Sequence, residues 1–336
     1  MKVFLTNIPA FYKNNLFNRI AENEELMVLF TGLVTDGSIR NKDFFKGDMK
    51  YHYKWLKGNQ LSMTLQFLKY ILTHKYDEVI LMGWETLVPW PAIFFAPKRK
   101  RAAQVESSIY ESHTKGWRAW IKRIFFSRLS KCYCSGKAQA DLTRALHFHG
   151  ENVITKGVGV FNYIPQPPFR ERKEVKNFIF VGRLSEEKNL KFLIRQFNRH
   201  PELHLDIIGD GPQKEELEKI ATQNVHILGA IDNKQLPQYY QNADVFVLAS
   251  ISETWGLVVE EALNNGLPVM VSDHVGCAPE IVNENNGVVF KLSDDDFDKK
   301  LKYISYIKRY NDMRKKISEL DFEKIEQRQV DCYLSN

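Results

Sequence analysis

Cysteine is scarce in this chain: Cys132, Cys134, Cys277 and Cys332 are the four among 336 residues, and no two form a CxxC pair. Cys132 and Cys134, two apart on a strand-like stretch, turn both thiols to one face without two further ligands nearby, so no metal site is expected and the thiols read as reduced and cytosolic. Long apolar runs are missing too. The most apolar stretch, 87–97, is broken by Pro89, Pro91 and Pro97, well short of the roughly 20 apolar residues a membrane-crossing helix needs. The start lacks a signal-peptide pattern, because Lys13 and Asn14 cut the opening apolar stretch short, and the protein is expected to stay where it is made. There is no repeat of solenoid length and no low-complexity tract. With 44% hydrophobic and 26% charged residues, the composition is that of an ordinary globular protein, which excludes a disordered or fibrous architecture.

Acidic residues are in short supply only in the first half. Residues 1–165 hold 24 Lys and Arg against 13 Asp and Glu, a balance of +11, and the remainder holds 23 against 28, a balance of −5. A basic half beside an acidic one implies that the basic half faces something anionic: a membrane surface, a phosphorylated substrate or nucleic acid. Nothing resembling an established nucleic-acid motif supports the last.

The length suits two domains of about 150 residues. Strand-like stretches at Lys2–Asn7, Leu26–Phe30, Glu78–Met82, Ala102–Glu106 and Cys132–Cys134 alternate with helical spacing over Phe11–Ala21 and Leu61–His74. From Pro165 to Lys176 periodicity gives way to prolines and charges, a linker composition. Alternation then resumes, with strands at 178–181, 204–208, 226–228, 245–248 and 269–271 and helical patterns at 190–200, 213–222, 236–241 and 257–264. Such alternation predicts α/β domains with parallel sheets. The expected division is an N-terminal domain over 1–165, a C-terminal domain over 166–310, and a helical segment over 311–336 that packs back on the first domain.

Two clusters carry chemistry. In Ser252-Glu253-Thr254-Trp255-Gly256-Leu257-Val258-Val259-Glu260-Glu261, an apolar strand hands over to a helix whose free amides and dipole suit a diphosphate or sugar hydroxyls. Glu253 before that helix and Glu261 within it bracket a crevice of the kind in which open α/β sheets bind ligands. In Val181-Gly182-Arg183-Leu184-Ser185-Glu186-Glu187-Lys188-Asn189, a strand delivers Arg183 and Lys188 into one loop, where two cations can stabilise a departing diphosphate. Each motif also has a plainer reading. Loop cations are commonly just solvated, two glutamates at this spacing arise by chance in helices, and Gly209-Asp210-Gly211-Pro212 is the strand-to-helix turn that proline at a first helical position favours. His147 and His149 read as surface or packing residues on a helical pattern rather than metal ligands. Trp84, Trp90, Trp117, Trp120 and Trp255 read mostly as core, with Trp255 alone near a ligand.

Taken in order, Gly182-Arg183-Leu184 with Lys188-Asn189, Gly209-Asp210-Gly211-Pro212, Ala243-Asp244-Val245, Glu253 with Glu261, and Gly276 with Pro279-Glu280-Ile281-Val282 resemble the C-terminal domain of glycosyltransferase family 4, over about Phe178–Phe290. The resemblance implies an α/β GT-B fold: two facing Rossmann-like, doubly wound parallel-sheet domains with a cleft between them. It implies retaining transfer of a sugar from a nucleoside-diphosphate sugar, UDP-sugar favoured over GDP-sugar, without a metal ion or other cofactor. Arg183 and Lys188 would then bind the diphosphate, Glu261 the ribose hydroxyls and Glu253 the transferred sugar. Gly182, Gly209, Gly211 and the amides of Trp255, Gly256 and Leu257 would complete the donor site. Family members often carry a histidine at the end of an N-domain strand; here the matching strand ends in Glu106, the candidate for that place, with His113 a weaker one. The expected acceptor is a glycan or lipid-linked glycan in cell-surface polysaccharide assembly. A nucleotide-sugar epimerase and a catalytically silent, membrane-associated scaffold are the competing readings.

Residues 98–131 hold ten Lys or Arg and two acids, and within them Trp117, Trp120, Ile121, Ile124 and Phe125 share a helical stripe beside Arg118, Lys122 and Arg123. Such a helix either lies in the interface of an anionic membrane, on the inner face of the cytoplasmic membrane, or packs its stripe on the sheet.

Overall fold

The computed structural model describes residues 1–33 and 47–334. The chain divides into two compact units, one of Met1–Asn162 joined by the tail from Glu323, the other of Tyr163–Phe322.

In the N-terminal unit, strands β1 (Lys2–Thr6), β2 (Leu26–Phe30), β3 (His52–Trp55), β4 (Glu78–Leu81), β5 (Arg101–Val105), β6 (Lys131–Cys134) and β7 (Glu151–Ile154) pair in the order β3-β2-β1-β4-β5-β6-β7, all parallel. Helices α1 (Phe11–Ala21), α2 (Gln60–Thr73), α3 (Trp90–Phe95), α4 (Gly116–Ser127) and α5 (Lys137–Ala145) connect them. β1 and β5 are buried throughout, as strands covered on both faces of a parallel sheet must be. The edge strand β3 is exposed at every position. It and β7 lie outside the strands expected from apolar patterning, because an edge strand needs little apolar side chain.

In the C-terminal unit, β8 (Asn177–Val181), β9 (His204–Ile208), β10 (Val225–Gly229), β11 (Val245–Leu248), β12 (Val269–Ser272) and β13 (Gly287–Phe290) form a second parallel sheet, ordered β10-β9-β8-β11-β12-β13. Its helices are α6 (Leu190–Asn198), α7 (Lys214–Ile220), α8 (Leu236–Asn242), α9 (Leu257–Asn264), α10 (Ala278–Ile281), α11 (Asp294–Ile304) and α12 (Ile307–Ser318). Both units are therefore Rossmann-like. Strand order reverses between β1 and β4 in one sheet and between β8 and β11 in the other, the switch points at which such folds open a crevice.

The stretch expected to be a linker has no regular structure but is pinned to the C-terminal unit. Ile164 exchanges hydrogen bonds with the Asn264 side chain, the Gln166 amide donates to Ile317 O (3.1 Å), and Arg172 N donates to Asn311 Oδ1 (2.9 Å). Side-chain amides thus replace the periodic pairing that its prolines forbid. The helical segment expected from residue 311 is divided. α12 belongs to the C-terminal unit, while the tail after Phe322, with most of α13 (Phe322–Asp331), joins the N-terminal one. There Tyr333 stacks on Tyr133 at 4.5 Å between ring centroids, and Glu326 pairs with Arg19 at 3.0 Å.

Three side-chain expectations are corrected. α5 stops at Ala145, so His147, in a left-handed conformation (φ 60°), and His149 follow the helix rather than ride on it. Trp117 and Trp120 are not core but 70% and 63% exposed, whereas Phe125 is fully buried. At about 100° per residue the stripe drifts over two turns, and its last member swings onto the sheet.

Candidate active site

The second cluster of the sequence and the first meet because β8 lies beside β11, with Phe178 opposite Val245 and Ile179 opposite Phe246. The chain leaving β8 and the chain leaving β11 therefore run side by side beyond the carboxyl edge of the sheet. Ile251 N donates to Glu187 O (2.9 Å) and ties the two loops together. In the first, a 3-10 turn over Glu186–Lys188 ends at Asn189 in a left-handed conformation (φ 54°), from which α6 departs. That reversal aims Lys188 across the gap, and its ammonium forms an ion pair with the Glu253 carboxylate. Arg183, one residue beyond Gly182, is exposed.

Glu253 is held by its backbone. Its N–H donates to His274 O (3.2 Å), its carbonyl accepts from Gly276 N (2.9 Å), and the Trp255 carbonyl accepts from Cys277 N (2.9 Å). Gly276 is needed for this clamp, since a Cβ there would stand 2.0 Å from Thr254 O. The chain then turns at Gly256 (φ 100°) into α9. Among the described residues the amides of Trp255, Gly256 and Leu257 donate to no protein acceptor, as expected at a helix start. The Trp255 indole, expected near a ligand, is instead turned inward and 1% exposed; its Nε1–H donates to Glu260 Oε2 (3.0 Å).

Glu260 and Glu261 point to different neighbours. Burial pushes the Glu260 carboxyl up to about 8; the Trp255 hydrogen bond opposes this and the Glu261 charge adds to it. Glu261, half-buried, is pushed up to about 7 by burial, against the pull of the Tyr240 hydroxyl, which donates to its Oε2 at 3.4 Å. Among the described residues its second oxygen meets no donor, which leaves the acceptor a diol would require.

Gly209 and Gly211 are close-approach residues. Gly209 has φ 143°, and a Cβ on it would meet Gly182 O at 1.8 Å, while one on Gly211 would meet Leu184 O at 2.3 Å. They bring the loop after β9 against the Arg183 loop.

Glu106 belongs to the N-terminal unit, just past β5, where its carboxylate pairs with Lys13 Nζ at 3.0 Å. Burial alone would lower the Lys13 ammonium, but Glu106, with Tyr12, overcomes it and the net direction is upward. His113 is exposed in the loop before α4. Among the described residues no group of three or more His, Cys, Asp or Glu is placed to hold a metal ion.

Tyr240, Glu260 and His274 were not singled out from the sequence as site residues. Gly276 carried a visible signal, as part of the glycine and proline pattern. Tyr240 and Glu260 carried none, since each lies in an ordinary helical pattern and acts through a partner brought in by the fold.

These residues lie in a stretch with known relatives. Residues 165–320 match the family model described as glycosyl transferases group 1. The group 1 match covers nearly all of the C-terminal unit. Sulfoquinovosyl transferase SQD2 of Arabidopsis thaliana is 36% identical over 164 residues, which is 47% of this chain and 32% of that protein. The chain thus spans about a third of that relative's length. Among solved structures, the lipopolysaccharide outer core galactosyltransferase WaaB in its apo form is similar over 99% of this chain and 100% of its own, with TM-score 0.73 and 17% identity. HepE of Anabaena, in complex with UDP and glucose, is similar over 97% of each, with TM-score 0.65 and 13% identity. These structures share the GT-B fold of two Rossmann-like units.

Proposed function

We propose that this chain is a retaining glycosyltransferase that moves a hexose from a nucleoside-diphosphate sugar, UDP-sugar before GDP-sugar, to a glycan or lipid-linked acceptor in cell-surface polysaccharide assembly. The observation that carries the reading is the meeting of the Lys188 and Glu253 loops at the β8/β11 switch point, beside undonated amides at the start of α9 and within the residues of the group 1 match. The chain's similarity to a sulfoquinovosyl transferase, a lipopolysaccharide galactosyltransferase and a protein solved with UDP and glucose favours it.

In this reading the diphosphate sits against Arg183, Lys188 and the amides of Trp255, Gly256 and Leu257, while Glu261 accepts from the ribose hydroxyls and Glu253 from the sugar. The acceptor hydroxyl oxygen bonds to the anomeric carbon on the face from which the diphosphate oxygen departs. Its proton passes to that phosphate. Arg183 and Lys188 supply the positive charge that stabilises the leaving group, so no metal ion is required. The N-terminal unit has its own switch-point crevice, lined by Asn7, Thr31, Glu85 and Thr86 among others, whose polar groups suit acceptor hydroxyls.

The test is thermal unfolding of the purified chain with UDP, GDP, ADP, dTDP or CMP, repeated with Glu261→Ala. A ligand at 100 times its Kd stabilises a protein by about 2.7 kcal/mol, so UDP is expected to raise the Tm of the wild type and not of the variant. No shift with any nucleotide at millimolar concentration would overturn the reading in favour of the silent scaffold. Release of free sugar without an acceptor would favour the epimerase.

A further inference from the structure

Helix α4 has two apolar faces, and the fold uses one. Ala119, Phe125 and Phe126 are fully buried, with Phe126 edge-on to Trp84 at 5.2 Å and Phe125 to Trp90 at 5.6 Å. These contacts account for the packing of the helix on its unit. They leave a second stripe, Trp117, Trp120 and Ile121, at spacings of three and four residues and 70%, 63% and 37% exposed. Two adjacent tryptophans held in water mark a surface meant to be covered.

The charge around this stripe selects what covers it. Arg118 lies over the Trp117 ring at 5.4 Å, and Arg128, at the far end of the helix, lies over the half-exposed ring of Phe94 at 4.6 Å. Lys98, Arg99 and Lys115 are exposed nearby in the chain. Over residues 98–131 there are ten cations and two acids, and one of those acids, Glu106, is already paired with Lys13. A second copy of the chain on this face would set cation against cation, which disfavours a symmetric dimer. Duplex nucleic acid would meet the cations but not the aliphatic and indole stripe between them. A sheet of anionic headgroups over acyl chains meets both.

We propose that the outer face of α4 docks on an anionic phospholipid bilayer, with Trp117, Trp120 and Ile121 in the headgroup and acyl boundary and Arg118 and Arg128 on lipid phosphates. This mode of binding needs no spanning segment, and among the described residues no helix is long and apolar enough to cross a membrane. The inference is independent of the donor site.

The experiment is co-sedimentation of the full chain with phosphatidylcholine vesicles, with and without phosphatidylglycerol, for the wild type, Trp117→Ser/Trp120→Ser and Arg118→Gln/Arg128→Gln. The wild type is expected to sediment with anionic vesicles only, and less so at high salt. The tryptophan variant is expected to lose at least about tenfold in partitioning, and the arginine variant about fivefold for each cation removed. All four positions are exposed, so the variants should keep the wild-type unfolding midpoint and the wild-type response to UDP, which separates this result from any failure of the donor site. Wild type that stays in the supernatant with anionic vesicles overturns the proposal, as does a tryptophan variant that binds them like wild type. Light scattering that shows a dimer broken by the tryptophan substitutions, with no vesicle binding, overturns it in favour of self-association.

Discussion

Lys188 and Glu253, 65 positions apart, form an ion pair with side chains only 16% and 13% exposed. The pair joins the two loops on which the proposed donor chemistry depends, and it places a cation and an anion where a diphosphate and a sugar would each claim one of them.

Separating the partners has a structural and a functional consequence. Lys188→Ala or Glu253→Ala leaves the other charge poorly solvated and should destabilise the chain by about 1–3 kcal/mol. In urea unfolding the double variant should fall short of the sum by about 1 kcal/mol. Turnover should drop at least about tenfold in each single variant, since a charged hydrogen bond contributes about 1.5–3 kcal/mol. Glu253→Gln, which frees Lys188 for phosphate, is expected to keep nucleotide binding while losing turnover. Equal loss of both would remove Glu253 from the sugar.

The Glu260 carboxyl, raised to about 8 by burial, makes stability depend on pH with a defined sign. Between the ordinary carboxylate range and pH 8 the folded chain holds a proton that the unfolded chain has lost, so stability falls as pH rises through this window. Glu260→Gln keeps an acceptor for the Trp255 indole and removes the titration. It should flatten the decline and stabilise the C-terminal unit by on the order of 2 kcal/mol at pH 8. Calorimetry from pH 5 to 8 reads this directly; an unchanged slope would show that Glu260 is not its source.

Gly209→Ala should disrupt the crevice loops. The new methyl would stand 1.8 Å from Gly182 O at a φ of 143°, a conformation that costs a non-glycine residue on the order of 1–3 kcal/mol before the clash is counted. A loss above about 3 kcal/mol in denaturant unfolding, together with weakened nucleotide binding, is expected. Stability within about 0.5 kcal/mol of wild type would mean that the two loops do not approach as described.

Tyr333 tests the tail. It is 1% exposed, stacks on Tyr133 and lies 6.0 Å from the Phe4 ring, so Tyr333→Ala should cost the N-terminal unit about 3–5 kcal/mol. Nucleotide-induced stabilisation of the C-terminal unit should survive. A variant that unfolds like wild type would show that the tail is not part of the N-terminal core.

Local chemistry was legible in the sequence. Val245–Leu248 is an unbroken apolar run because a central parallel strand is buried on both faces, and Gly209, Gly256 and Gly276 stand where backbones approach closely or φ is positive. Each is a property of a few consecutive residues, so each leaves its mark on them. The edge strand β3 left too short a mark: Tyr53 and Trp55 alternate with His52 and Lys54, but over only four residues, all exposed. The inward turn of the Trp255 indole, the split of α4 into a packed face and an open one, and the tail's return to the N-terminal sheet were decided by tertiary structure. So was the meeting of Lys188 with Glu253: β9 and β10 intervene between β8 and β11 in the chain but not in the sheet. A pairing set by strand order across such a distance has no local pattern to announce it; it exists only once the sheet is assembled.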